Sequence, residues 1–153
     1  MIALEIVGVR AEPHSHCPMI VLKESDGSRY LAIWIGATES SAILDALAGS
    51  APTTPKTHDL MAEMLSRFGH RVSHGAICSY DEGVFTAYIV IDDLTLDIRP
   101  SDLVALSIRS CFPIVCCSEV MDKAGVELLD EKDDEVEKFK EFLDQICPED
   151  FDT

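Results

Sequence analysis

Three turn signals organise this chain. Asp26-Gly27, Asp81-Glu82-Gly83 and Asp92-Asp93 each separate two short apolar runs of strand length, the pattern of a β-hairpin. The flanking runs cover residues 19–23, 30–35, 72–80, 84–91 and 94–98, and residues 2–10 form another strand. A chain so punctuated builds antiparallel strands first. Its helices must then pack on the sheet those strands make.

The helices announce themselves by caps and periodicity. Thr38 is placed to cap a helix with Glu39 in its first turn, where the helix dipole favours an acid. Ile43, Leu44 and Leu47 give that helix an apolar face, and Gly49 ends it. Thr57 is placed to cap a second helix with Leu60, Met61, Met64, Leu65 and Phe68 on one side, ended by Gly69. Pro100 suits a first helical position, with Asp102 behind it. Residues 113–116 form a short buried strand, and Ser118 caps a further short helix closed by Gly125. A last helix over residues 133–146 carries the stripe Val136, Phe139, Phe142, Leu143 and Ile146, with an acidic opposite face. LAIWIGATES and LTLDIRPSD both run from strand through a tight turn into a helix that begins with Ser or Thr and an acid. That likeness suggests an internal βββα pseudo-repeat. The expected fold is α+β, a single domain with a mixed β-sheet of six or seven strands and helices packed on it. Residues 1–127 form the body and residues 128–153 an acidic C-terminal helix and tail. Ile33, Ile35, Ile43, Leu47, Leu65, Ile89, Val104 and Ile114 are the expected core.

Composition excludes several classes. No apolar run approaches the ~18 residues of a membrane helix. The N-terminus MIALEIVGVR lacks the basic region and cleavage site of a secretory signal, so a cytoplasmic location and no membrane partner are expected. Six cysteines occur, at 17, 78, 111, 116, 117 and 147, without a CxxC pair, and are read as reduced thiols. The formal net charge is −16. Residues 1–110 hold 8 basic and 14 acidic residues, a net of −6, and residues 111–153 hold 4 and 14, a net of −10. Gripping a polyanion chiefly by counterion release needs a basic surface, so nucleic-acid binding by this chain must be local or metal-assisted.

The blocks IVLKESDGSRYLAIWIGATESSAI, THDLMAEMLSRFG and LDIRPSDLVALSIRSCFPI resemble the bifunctional nuclease family, from about Met1 to about Glu127. Asp-x-Arg-Pro-Ser-Asp at a strand-to-helix junction is the most specific part. The acidic helix resembles the C-terminal extension of bacterial members. The resemblance implies one domain forming a homodimer or a higher homo-oligomer. It also implies hydrolysis of DNA and RNA, an activity known mainly from plant members.

The site must be read from residues. Phosphodiester hydrolysis needs an activated water, stabilised phosphoryl oxygens and a protonated leaving oxygen, and carboxylate-held Mg²⁺ or Mn²⁺ often supplies much of this. Glu39, Asp59, Asp97 and Asp102 are the expected metal ligands. Asp97, Arg99, Asp102 and His58 are the expected catalytic set, with His58 as base or acid and Arg99 as a phosphate clamp. Ser101 and the helix start behind it are suited to an anion. Equivalent strand-to-helix junctions would gather Asp97, Arg99 and Asp102 with Glu39, His58 and Asp59 at one rim. Structural roles compete. Glu39, Asp59 and Asp102 sit where acids stabilise helix starts, and Asp97 with Arg99 could lock a strand to a helix. His14, His16 and Cys17 form a short HSHC segment that could hold a transition metal but reads as a solvated loop. The other functional classes are a non-catalytic interaction or regulatory module and a small-anion or nucleotide-binding protein.

Overall fold

The computed structural model describes residues 1–49 and 53–127. Among the described residues, eight strands form one sheet, with four helices. β1 (Ile2–Ala11), β2 (Pro18–Glu24) and β3 (Arg29–Trp34) lead into α1 (Ala37–Ala48) and α2 (Thr57–Arg67). β4 (Val72–Asp81), β5 (Val84–Ile91) and β6 (Leu94–Ile98) lead into α3 (Pro100–Ser110), β7 (Ile114–Cys116), α4 (Ser118–Ala124) and β8 (Val126–Glu127). The strand order is β6-β5-β4-β7-β1-β2-β3-β8. Two antiparallel meanders thus lie either side of β7, and each feeds a helix.

β7 joins the meanders. It runs parallel to β4, with Gly75 opposite Ile114 and Ile77 opposite Cys116, and antiparallel to β1, with Ile2 opposite Cys116. Its central place explains its composition: Ile114 and Cys116 are buried. Burial pushes the Cys116 thiol pKa up to about 11, so it stays protonated at neutral pH.

α3 is the helix most deeply seated. Leu103, Val104, Ala105 and Leu106 are all buried. Gly75 permits this close approach, because a Cβ there would collide with the Leu103 side chain. The buried Ser107 hydroxyl donates to the Phe112 carbonyl at 2.7 Å and ties the turn after the helix. α1 packs on α3, and its Ile43 is fully buried.

Several expectations shift. The helix starts lie earlier than the hydroxyl residues suggested: the N-caps are Gly36, Lys56 and Cys117, not Thr38, Thr57 and Ser118. At α2 the Asp59 carboxylate reaches back to accept from the Lys56 backbone N–H at 3.0 Å, so the first-turn acid does the capping. Of the expected core, Ile33, Ile43, Ile89, Val104 and Ile114 are buried, while Ile35 and Leu65 are half-buried and Leu47 is exposed in the last turn of α1. α2 differs most from a core helix. None of its residues is buried, and Leu60, Met61, Met64 and the flanking Phe68 are exposed. The acidic helix expected over residues 133–146 lies outside the described residues.

Candidate functional site

The two strand-to-helix junctions meet. β3 passes through Gly36 into α1, placing Glu39 in that helix's first turn, and β6 ends at Ile98, just before Arg99, the N-cap of α3. Because α1 packs on α3, the two helix starts lie side by side. Arg99 Nη1 donates to Glu39 Oε1 at 3.1 Å, across 60 positions of sequence.

Asp102 is the centre of the cluster. Arg99 forks onto it, with Nε 2.7 Å from Oδ2 and Nη2 3.0 Å from Oδ1. His58, from the first turn of α2, places Nε2 2.8 Å from Asp102 Oδ1. Burial opposes ionisation of Asp102, but the Arg99 and then the His58 hydrogen bonds outweigh it, and its pKa falls below the ordinary aspartate value. Asp102 is therefore the acceptor in this contact, and His58 donates to it from Nε2. The same carboxylates raise the Arg99 pKa further above its already high value.

These side chains line one cleft of about 940 Å³, with Thr38, Glu39, Lys56, His58, Arg99 and Asp102 on its walls. His58 and Asp102 are largely covered, at 14% and 21% side-chain exposure, whereas Arg99 is 64% exposed. Three of the five guanidinium N–H groups go to Glu39 and Asp102. Two remain for a ligand.

The other expected residues are placed elsewhere. Asp97 is exposed on β6 and, among the described residues, makes no ion pair or side-chain hydrogen bond. It lines a separate apolar groove of about 330 Å³ with Met61, Met64, Phe68 and Leu96. β6 is an edge strand, so a carboxylate on it stays in water and needs no partner. Asp59 is turned to Arg109, whose Nε donates to Asp59 Oδ1 at 2.7 Å. Ser101 is buried beneath the start of α3. His14, His16 and Cys17 are exposed in the loop between β1 and β2. The expected metal ligands are therefore not gathered. Glu39 and Asp102 face Arg99, Asp59 faces Arg109, and Asp97 lies apart. Among the described residues, no three His, Cys, Asp or Glu side chains form a ligand group. With Glu39, Asp59 and Asp102 each paired to an arginine, this donor arrangement does not fit a divalent ion.

Arg109 was not singled out in the sequence. It lies in the last turn of α3, where a basic residue reads simply as a complement to the helix dipole. Its side chain is only 10% exposed. It donates to Asp59 on α2, to the Ala42 carbonyl on α1 at 3.0 Å and to the Ala105 carbonyl at 2.9 Å. One guanidinium thus ties together the three helices that carry Glu39, His58 and Asp102.

Residues 20–129 match the bifunctional nuclease domain. The chain belongs to that family. It is also 39% identical over 158 residues to two Mycobacterium tuberculosis proteins, covering 97% of this chain and 96% of theirs. One is from strain CDC 1551 / Oshkosh and the other from strain ATCC 25618 / H37Rv, and both are named only as uncharacterized. In this bifunctional nuclease domain the matched span contains every residue of the cleft cluster, from Glu39 to Asp102. Among the described residues, no helix is long and apolar enough to cross a membrane.

Proposed function

We propose that this chain hydrolyses phosphodiester bonds of DNA and RNA, with His58 as general base, Asp102 as its orienting partner and Arg99 as the phosphate clamp. The observation that carries the reading is the 2.8 Å contact between His58 Nε2 and Asp102 Oδ1 inside a cleft that Arg99 shares. Family membership supports a nucleic-acid substrate.

In this reading His58 Nδ1 takes a proton from the attacking water, while Asp102 stabilises the imidazolium that forms. The two uncommitted Arg99 N–H groups hold non-bridging oxygens. Charge balance favours this order of events. With His58 neutral, Glu39, Asp102 and Arg99 sum to −1. Proton uptake by His58 brings the sum to zero as negative charge builds on the phosphorus centre. The cleft is open to water, so the leaving oxygen takes its proton from solvent.

The test is hydrolysis of fluorogenic DNA and RNA oligonucleotides by wild-type protein and by Asp102→Asn prepared identically. The variant should lose about 10²-fold or more of the rate. Equal rates in both preparations would overturn the reading and expose a co-purified nuclease.

A second reading, self-association, rests on a different observation. Met61, Met64, Phe68 and Leu96 are exposed around the groove between α2 and the edge strand β6. We infer that this face is the interface of the homo-oligomer that the family implies. Light scattering should give a mass above the 16.8 kDa of one chain. A monomer at micromolar concentration would remove this reading.

A further inference from the structure

Trp34 is the last residue of β3, and it points away from the core. Strand alternation buries Leu31 and Ile33 on one face and leaves Ala32 and Trp34 exposed on the other. Trp34 is 54% exposed. Among the described residues, no other aromatic ring stacks on it. A singly exposed apolar side chain is ordinary. This one lines a cleft of about 410 Å³ together with Val84, Phe85, Pro100 and Arg99. Arg99 and Glu39 also line the His58 cleft. The two clefts are thus neighbours across one guanidinium. One side offers an aromatic and apolar surface, and the other offers the imidazole and carboxylate.

We propose that the Trp34 cleft is a nucleobase-stacking subsite, and that the substrate taken by the neighbouring His58 cleft is single-stranded. The proposal rests on the hydrolytic reading above for the identity of the ligand and adds the form in which it binds. A strand laid over Arg99 would place a phosphate on the free N–H groups and an adjoining base on the indole. Base–aromatic stacking needs an open π-face, which a single strand presents and a duplex hides within its own stack. Every base has such a face, so the contact tolerates DNA and RNA alike. The charge of the protein points the same way. A chain of net charge −16 gains little from counterion release, so part of its affinity must come from a contact that is not ionic.

Trp34 is the only tryptophan of the chain, so its fluorescence reports the subsite directly. The experiment uses full-length His58→Ala protein to suppress turnover, titrated with an oligothymidylate of roughly ten nucleotides and with the same strand annealed to its complement. Anisotropy of a labelled strand gives affinity for His58→Ala carrying Trp34→Ala or Trp34→Phe. The single strand should quench Trp34 saturably, and the duplex should bind at least tenfold more weakly. Trp34→Ala should weaken single-strand binding about 5- to 150-fold, the equivalent of one base–aromatic stack. Trp34→Phe should retain most of the affinity and shows that the variant position tolerates change. Unchanged affinity in Trp34→Ala, equal quenching by duplex, or no binding of either overturns the subsite. The two readings separate cleanly. If wild-type protein hydrolyses nothing yet Trp34-dependent binding persists, the hydrolytic reading fails and the subsite stands. If hydrolysis proceeds and Trp34→Ala leaves KM for single strands unchanged, the subsite fails alone.

Discussion

Arg109 Nε donates to Asp59 Oδ1 at 2.7 Å, linking the last turn of α3 to the first turn of α2. The same side chain reaches a carbonyl of α1. α2 buries none of its residues, so apolar packing holds it only weakly. The ion pair therefore does much to fix the helix that carries His58. Arg109→Ala should lower stability by about 2–3 kcal/mol, the cost of removing hydrogen bonds to a charged, partly covered group. Urea denaturation measures this. A change below about 0.5 kcal/mol would show that α2 is held by other contacts.

Acid should weaken the same junctions. The Arg109 hydrogen bond, then the Lys56 backbone N–H, holds Asp59 below the ordinary aspartate pKa. Asp102 is also lowered, its burial outweighed by Arg99 and His58. A carboxylate depressed in the folded state stabilises that state above the unfolded pKa, near 3.9. That contribution falls away as pH drops through the folded value, because both states then bind the proton. Stability from these two groups should be intact at about pH 6 and decline below about pH 4. Asp59→Asn should flatten part of that decline in denaturant titrations across this range. An unchanged acid profile in the variant would contradict the assignment.

Asp97 now carries a prediction opposite in kind to that for Asp102. It stands exposed on the edge strand and outside the His58 cleft. Asp97→Asn should leave Tm within about 2 °C and the hydrolysis rate within about threefold of wild type, as for surface positions generally. Loss of activity with the fold intact would extend the site across β6.

Phe68 is 68% exposed beside the α2–β6 groove. If that face joins copies of the chain, Phe68→Asp should shift the assembly toward monomer in light scattering, with Tm falling only as far as dissociation requires. Retention of the wild-type mass would place the interface elsewhere.

Much of the fold was legible because it is written locally. The Asp-Gly, Asp-Glu-Gly and Asp-Asp turns mark the hairpins, and Pro100 marks the first position of α3. The meeting of Glu39 with Arg99 and Asp102 was also legible, since both junctions follow a meander and open a helix. Less was written about partners. A three-residue strand such as β7 gives no sign that it will sit mid-sheet, and two-residue β8 gives no sign at all. The stripe on α2 shows that the helix is amphipathic but not what covers it. Asp97 lies between the apolar Leu96 and Ile98, a pattern that gives no sign of its exposure. Sequence alternation does not reveal that β6 is an edge. Arg109 was invisible because its three acceptors come from three separate segments.

The central claim is that His58 is the base, oriented by Asp102. Its most direct test is chemical rescue of His58→Ala. The account predicts a loss of at least about 10²-fold in oligonucleotide hydrolysis, with part of the rate restored by added imidazole in that variant and no restoration by imidazole in Asp102→Asn. His58→Ala protein that hydrolyses at the wild-type rate would contradict it.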